Sequence, residues 1–176
     1  MFKHKQNGFS LIELMTAIAV LGVVLAIAFP SFRVFTANTQ IRSTAESIRN
    51  GLQMARGAAI KHNAVVRFSL ANDTSWTISC VTVTANCPAV IQTKPSKEGS
   101  ASTIVLGITG TNTLDFTSLG TLTSVLGQMS QVNIDSSAIT SAQSRDLRIT
   151  INAGGSARIC DPNVAASSDS RNCTAN

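Results

Sequence analysis

Glu13 is the only charged side chain in a long run of otherwise apolar sequence that extends from Phe9 to Phe32. A carboxylate near the centre of a membrane-spanning helix costs roughly 2.5–3.5 kcal/mol on insertion scales. Glu13 lies near the end of an otherwise good membrane helix, and a chain that carries such a cost there needs a positively charged partner for the acid. We expect that partner to be brought by another copy of the chain or by a related subunit.

The part of the chain beyond this run contains four cysteines: Cys80, Cys87, Cys160 and Cys173. An even number of cysteines beyond a membrane segment indicates disulfides in an oxidising compartment. Three pairings are possible, and we favour Cys80–Cys87 with Cys160–Cys173 because each closes a short local loop. A zinc site is disfavoured, since the sequence has no Cys-x-x-Cys pair and only two histidines.

Residues for catalysis are missing from the sequence. His62 is the only histidine after the first eight residues, so no Ser/His/Asp or Cys/His set is available. No glycine-rich phosphate loop follows a strand and opens a helix. The acids stand apart, without a motif, at Asp73, Glu98, Asp115, Asp135 and Asp146. We therefore predict a protein that is not an enzyme and has no cofactor or metal.

The apolar run is long enough to cross a bilayer, because roughly 20 apolar residues at about 1.5 Å each suffice. Lys3 and Lys5 precede it and predict a cytoplasmic N-terminus. In an ordinary secretory signal, small residues at the cleavage site follow the apolar core. Here the small polar break at residues 6–8 comes first, so cleavage there leaves the helix attached to the mature protein.

An amphipathic helix follows the apolar run. Its apolar positions recur at intervals of three and four residues: Ile41, Ala45, Ile48, Leu52, Ala55 and Ala59. The pattern predicts one helix that continues beyond Pro30, ends near Lys61–Asn63 and packs this stripe on a sheet. Arg42, Arg49 and Arg56 lie on one face beside the stripe, either to pair with acids of adjacent subunits or to flank the packed face.

The remaining sequence is rich in β-branched residues and turn signals, which predict a succession of short strands. The predicted strands are Val65–Leu70, Trp76–Val83, Thr103–Thr109, Thr113–Phe116, Thr121–Val125, Gln131–Ile134, Leu147–Asn152 and Ala157–Cys160. Between these, residues 94–102 predict a surface loop. One long helix followed by an antiparallel sheet is an α+β fold. We divide the chain into 1–8, a leader; 9–32, a transmembrane helix; 33–62, an amphipathic helix; and 63–176, a β-rich globular domain.

The stretch GFSLIELM (Gly8 to Met15), with the apolar residues after it and Pro30, resembles the type IV pilin and pseudopilin family. The resemblance implies the pilin fold and cleavage by a prepilin peptidase between Gly8 and Phe9. It also implies methylation of the new amine at Phe9 and pairing of Glu13 with the N-terminal amine of a neighbouring pilin or pseudopilin. Such proteins sit in the bacterial inner membrane by one helix, with the globular domain in the periplasm, and become extracellular in a pilus.

Two segments are similar to the FimT/GspH group of minor pilins and pseudopilins. These are SIRNGLQMARGAAIKHNAVVRF (Ser47 to Phe68) and RDLRITINAGGSARICDP (Arg145 to Pro162). The similarity to FimT implies a minor pilin of type IV pili, and the similarity to GspH implies the alternative, a pseudopilin of a type II secretion system. The RIC sequence at residues 158–160 favours the pilus.

Some FimT-like pilins take up DNA in natural transformation through a Gly-Arg-x-Arg turn. The corresponding residues here are Gly155-Ser156-Ala157-Arg158, so only the second arginine is present. Candidate contacts to double-stranded DNA are four arginines: Arg145, Arg148, Arg158 and Arg171. Solvent-exposed arginines without a ligand are the alternative, because nearby acids cancel part of the charge and no aromatic residue interleaves them. The formal net charge of +5 permits an anionic partner without demanding one.

Overall fold

The computed structural model describes residues 9–96, 98–124 and 126–173. Helix α1 extends without a break through Pro30, and eight strands follow it. The element bounds are α1 Leu11–His62, β1 Val66–Leu70, β2 Trp76–Cys80, β3 Gln92–Lys94, β4 Ile104–Thr109, β5 Thr113–Phe116, β6 Gln131–Ser136, β7 Leu147–Ile151 and β8 Ala157–Cys160. The predicted α+β fold, one long helix followed by strands, is confirmed.

Helix α1 ends where the sequence predicts. Asn63 caps it in the left-handed conformation, with φ of 48°, and donates its backbone N–H to the carbonyls of Ala59 and Ile60. Asparagine tolerates this conformation better than most residues, which makes it a suitable helix terminator. Lys61 and His62 stand in the last turn, where positive charge complements the helix dipole.

The strands form two antiparallel four-stranded sheets. The first has the order β3-β2-β1-β5, and the second has the order β4-β6-β7-β8. The second half of α1 contacts strands of both sheets, and all six residues of the predicted apolar stripe are buried there. Strand residues that alternate toward the helix complete this core, including Phe68, Phe116, Ile134 and Ile149.

Several strand predictions need correction. The sequence predicts a single sheet, whereas the structure has two. Residues 121–124 are not a strand, because only Leu122 forms an isolated bridge, with Phe116, and Val125 lies outside the described residues. The predicted surface loop at residues 94–102 is wrong at Lys94, which ends strand β3, and the largely exposed side chains of this strand give no alternating apolar pattern. Strand β2 ends at Cys80, before the turn that a disulfide closes.

Two disulfides each close a short loop in the domain. Cys80 bonds to Cys87, with Cα atoms 5.8 Å apart, and closes a loop after β2. Cys160 bonds to Cys173, with Cα atoms 5.0 Å apart, and holds the irregular tail against the end of β8. These are the pairings that the sequence favoured.

Candidate functional site

The first half of α1 packs against nothing in the described part of the chain. Its large apolar side chains are exposed, and Phe9, just before the helix, is 85% exposed. This helix is long and apolar enough to cross a membrane, and its most apolar stretch has no buried residue. Such a surface is stable only in lipid or against the helices of other subunits.

Glu13 lies in the first turn of α1, within this exposed apolar surface. It shares a shallow concave face with apolar neighbours, among them Phe9, Leu14 and Ala17. Within the residues that the structure describes, no cation pairs with Glu13. Arg33, the next cation along the helix, stands about 30 Å further on at the usual rise.

The predicted processing site spans the edge of the described structure. Gly8, with the whole leader at residues 1–8, lies outside the described residues. Phe9 is the first described residue, and the helix begins two residues later, at Leu11. A short non-helical segment therefore separates the predicted cut from α1. Pro30, further along, is an exposed helical residue.

The structure divides the four candidate DNA-contacting arginines into two pairs. Arg148 and Arg158 share the outer face of the second sheet, because the register pairs Arg148 with Cys160 and Thr150 with Arg158. Both side chains are half-buried. Arg148 Nε donates to Asn133 Oδ1 over 2.6 Å, and Arg158 donates to the carbonyl of Asn172 in the tail. The sheet and the tail thus hold these two guanidinium groups in place.

Arg145 and Arg171 lie elsewhere, in a cleft of about 420 Å³ between α1, the start of β7 and the tail. Leu147 and Ile159 form its apolar part. Ile159 pairs with buried Ile149 on the sheet face toward the helix, so this cleft opens away from the outer face. The four arginines are near one another in the sequence, but the sequence pattern does not show which face of the domain each one lies on.

The charges in the cleft are partly paired. Arg171 Nη2 lies 2.7 Å from Asp169 Oδ2, and its hydrogen bonds lower the pKa of Asp169 to about 2. Arg42 and Glu46, on the α1 wall, form a pair with N–O distance 3.0 Å. Both pairs are largely exposed, so each contributes little to stability.

The three helix arginines are used differently from one another. Arg49 Nε donates to the carbonyl of Ala157 over 3.4 Å, and Arg56 lies against the backbone at Gly120. Both flank the packed face of α1, as one of the two interpretations held. Arg42 is exposed and pairs with Glu46 on its own helix. No group of three His, Cys, Asp or Glu side chains in the described residues is arranged to hold a metal ion.

Two features of the domain are not predicted by any pattern in the sequence. Arg67 forms two hydrogen bonds of 2.7 and 2.8 Å to Asp115 on the first sheet, across a register pair of β1 and β5. Asp135 and Asp146 form a second, acidic pair near the end of β6. Burial raises the pKa of Asp146, and contact with Asp135 raises it further. Both features form between residues that are distant in sequence, so no local pattern predicts them.

Comparison with protein families agrees with this geometry. Residues 3–29 match the prokaryotic N-terminal methylation motif, and residues 44–155 match the type II transport protein GspH family. The GspH match covers well over half of the chain, and it includes the second half of α1 and most of both sheets.

Individual relatives are fimbrial proteins. Two fimbrial proteins of Pseudomonas aeruginosa are 28% and 33% identical over 102 and 73 residues, or 56% and 42% of this chain. The chain spans 66% and 47% of their own lengths. Fimbrial protein Q of Moraxella bovis is 27% identical over 143 residues, which cover 81% of this chain and 82% of that protein.

A solved structure shares the fold. The crystal structure of the type IV minor pilin FimU of P. aeruginosa superposes with a TM-score of 0.55, at 18% sequence identity. The match covers 75% of this chain and 96% of FimU. The exposed apolar helix and the N-terminal methylation motif fit a membrane-anchored pilin that later joins a filament. The chain belongs to the GspH family of type IV pilin-like proteins, whose members are structural subunits and not enzymes.

Proposed function

We propose that the chain is a FimT-like minor pilin that a prepilin peptidase cuts between Gly8 and Phe9 and that then joins a type IV pilus. The observation that carries this proposal is Glu13, an acid exposed on an unpacked apolar half-helix that continues into a packed pilin-like domain. A single carboxylate on this apolar surface can form an ion pair only when a second helix brings a positive charge to it. The similarity to fimbrial proteins favours a pilus as the place where this happens.

Cleavage supplies the counter-charge. Removal of residues 1–8 creates an amine at Phe9, and methylation leaves that amine basic. When helices bundle, the amine of an incoming subunit meets Glu13 of its neighbour, and the pair offsets the cost of burying the acid, which reaches roughly 2.5–3.5 kcal/mol at the centre of a bilayer. The exposed residues up to Phe32 then pack against other helices. The same interaction orders the subunits along the filament axis, because a helix shifted by one turn leaves the acid unpaired.

Substitution of Glu13 tests this mechanism. We expect Glu13→Gln to leave cleavage at Gly8 intact and to abolish most incorporation into pili, since it removes the charge without changing the shape. Glu46→Gln, in the packed half of the same helix, is the matched control and should assemble normally. Normal incorporation of the Glu13→Gln protein would contradict the proposed pairing.

The same proposal fixes the orientation of the chain in the membrane. Lys3 and Lys5 hold the N-terminus in the cytoplasm, so the domain from Ser31 onward lies in the periplasm before assembly. Both disulfides belong to that oxidising side. A cysteine-reactive reagent that cannot cross membranes should label a Ser137→Cys variant in intact spheroplasts. Labelling only after lysis would show that the domain lies on the cytoplasmic side and would contradict this orientation.

A pseudopilin of a type II secretion system is the second candidate, and the GspH family match favours it. The same half-helix serves either machine, so the charge pairing does not distinguish them. Deletion of the gene does: a minor pilin should be needed for surface pili, whereas a pseudopilin should be needed for export of secreted proteins. We expect loss of pili with secretion unchanged.

We further propose that the outer face of the second sheet contacts double-stranded DNA through Arg148 and Arg158. The two arginines share a face and stand near the turn at Gly154-Gly155, where the FimT resemblance locates its motif. Ser156 is exposed in this turn, at the place of the missing arginine. Arg145 and Arg171 open on another side and are assigned a minor part in this contact.

Gel shifts with the full chain in detergent test DNA binding. Each phosphate contact adds to affinity and to its salt dependence, so Ser156→Arg should strengthen retention several-fold. Arg148→Gln with Arg158→Gln should abolish it, and Arg145→Gln with Arg171→Gln should weaken it far less. Absence of retention at low salt, or equal loss in both double variants, rejects this contact.

A further inference from the structure

A groove runs along α1 at the point where the apolar run ends. It has a volume of about 630 Å³ and lies between the helix and the loop at residues 142–145. Ser31, Val34 and Phe35 form its lower part, and Arg42 and Arg145 line its upper part. We call it the membrane-side groove. Nothing in the assembly mechanism above uses it.

Two hydrogen bonds build the wall of the membrane-side groove. Asn38 Nδ2 donates to the carbonyl of Gln143 over 3.1 Å, and Asn38 Oδ1 accepts from the backbone N–H of Arg145 over 2.8 Å. One helix side chain therefore fixes the loop on both sides of Ser144. Ser144 Oγ donates to Asp135 Oδ1 over 2.6 Å, which ties the loop to the end of β6. The groove is thus a formed feature of the fold.

Distance along the helix places this groove at the membrane surface. From Phe32, the end of the apolar run, a rise of about 1.5 Å per residue puts Phe35 about 5 Å and Asn38 about 9 Å further along. The headgroup layer beyond the hydrocarbon is about 5–8 Å thick. Arg145, held by Asn38, therefore stands at the outer edge of that layer. Phe35, with 69% of its surface exposed, lies within it.

The lining suits an anionic phospholipid. Val34 and Phe35 line the end of the groove nearer the apolar run, and Arg42 and Arg145 line the end farther from it. No carboxylate lines the groove within the described residues. Glu46 pairs with Arg42 from one turn above, but that pair is largely exposed and exchanges readily with another anion.

We propose that the membrane-side groove binds the headgroup of one anionic phospholipid while the chain is anchored in the membrane. The inference rests on the membrane anchoring in the proposed function. The bound lipid would fix the rotation of the domain about α1 above the bilayer. Charge complementarity and continuity with the membrane-spanning run favour a lipid over a segment of a neighbouring subunit as the occupant.

Native mass spectrometry of the full chain in nanodiscs tests this proposal. The discs contain equal amounts of phosphatidylglycerol and phosphatidylcholine, and the readout is the ratio of the two among chains that retain one lipid. A basic side chain near an anionic surface favours it by about five-fold, so we expect about 5–20-fold enrichment of phosphatidylglycerol. Arg42→Gln with Arg145→Gln should bring the ratio to about one.

The control variant is Arg33→Gln with Arg56→Gln, which removes the same amount of charge from two positions of α1 that do not line the groove. Arg33 also stands at headgroup level, so an unchanged ratio in this control would locate the preference in the groove. Equal retention of both lipids by the unmodified chain, or equal loss in both double variants, would overturn the proposal. Failure of the chain to fractionate with the discs would instead refute the membrane anchoring itself.

Discussion

Gly51 lies where α1 packs closely against residues of the first sheet. A Cβ atom added there would stand 2.8 Å from Phe68 Cε2, 3.0 Å from Trp76 Cε2 and 3.1 Å from Trp76 Cδ2. Phe68 is fully buried and Trp76 is 5% exposed, so neither ring can swing aside into solvent. Gly57 occupies the same helix, but a Cβ atom there meets nothing within 4 Å. The two glycines therefore form a matched pair.

Substitution of each glycine by alanine separates helix propensity from packing. In a helix interior, Gly→Ala stabilises by about 0.8–1 kcal/mol, and both positions gain this term. Overpacking of a filled core costs about 1–3 kcal/mol, and only position 51 incurs it. The free energy of unfolding of Gly51→Ala should therefore fall about 1–3 kcal/mol below that of Gly57→Ala.

Urea unfolding of the full chain in detergent measures this difference. Trp76, the only tryptophan, reports on the packed end of α1, and far-UV circular dichroism provides a second signal that does not depend on the altered site. Coincidence of the two transitions is needed before the free energies are compared. If Gly51→Ala stabilises the protein as much as Gly57→Ala does, the close approach of α1 to Phe68 and Trp76 is wrong.

Two further predictions concern the ends of the second sheet. Burial and nearby Asp135 raise the pKa of Asp146, so the folded state binds that proton more tightly and loses stability as pH rises through the carboxyl range. Asp146→Asn should therefore raise the free energy of unfolding at pH 7 by up to about 1 kcal/mol and leave it unchanged at pH 3. An equal gain in stability at both pH values would show that the charge of Asp146 is not the cause. Replacement of both Cys160 and Cys173 by serine should lower the free energy of unfolding, measured in urea, by about 3 kcal/mol. It should also speed limited proteolysis within residues 161–173, as mass mapping would show. Unchanged proteolysis would mean that the tail stays bound to the domain without the disulfide.

Periodicity made the helix predictable, and its absence hid parts of the sheets. The six-residue apolar stripe on α1 is a local pattern, and every member is buried. Strand β3 has only polar residues, Gln92-Thr93-Lys94, and forms through pairing with β2, so no pattern of its own reveals it. Residues 121–124 have strand-like composition, but they follow directly on a turn that a Thr117–Thr121 hydrogen bond closes. They pair with β5 at only one bridge, between Leu122 and Phe116, so no strand forms.

The site was predictable where it depends on order along the chain. Glu13 and its apolar surroundings are consecutive residues, so their common exposure on α1 follows from sequence. The positions of the arginines near the C-terminus depend on strand register and on the path of the tail, and no local sequence pattern reveals either of these. Arg158 therefore shares a face with Arg148, whereas Arg171, closer to Cys173 in sequence, opens into a different cleft.

The most direct test of the assembly mechanism is the mass of the N-terminal peptide of the protein purified from its native membrane. Pairing between Glu13 and a neighbouring amine requires that the amine be created at Phe9. We predict that the mature chain begins with N-methylated Phe9. A functional chain that still begins with Met1 would contradict the mechanism, since no amine would then stand beside the acid.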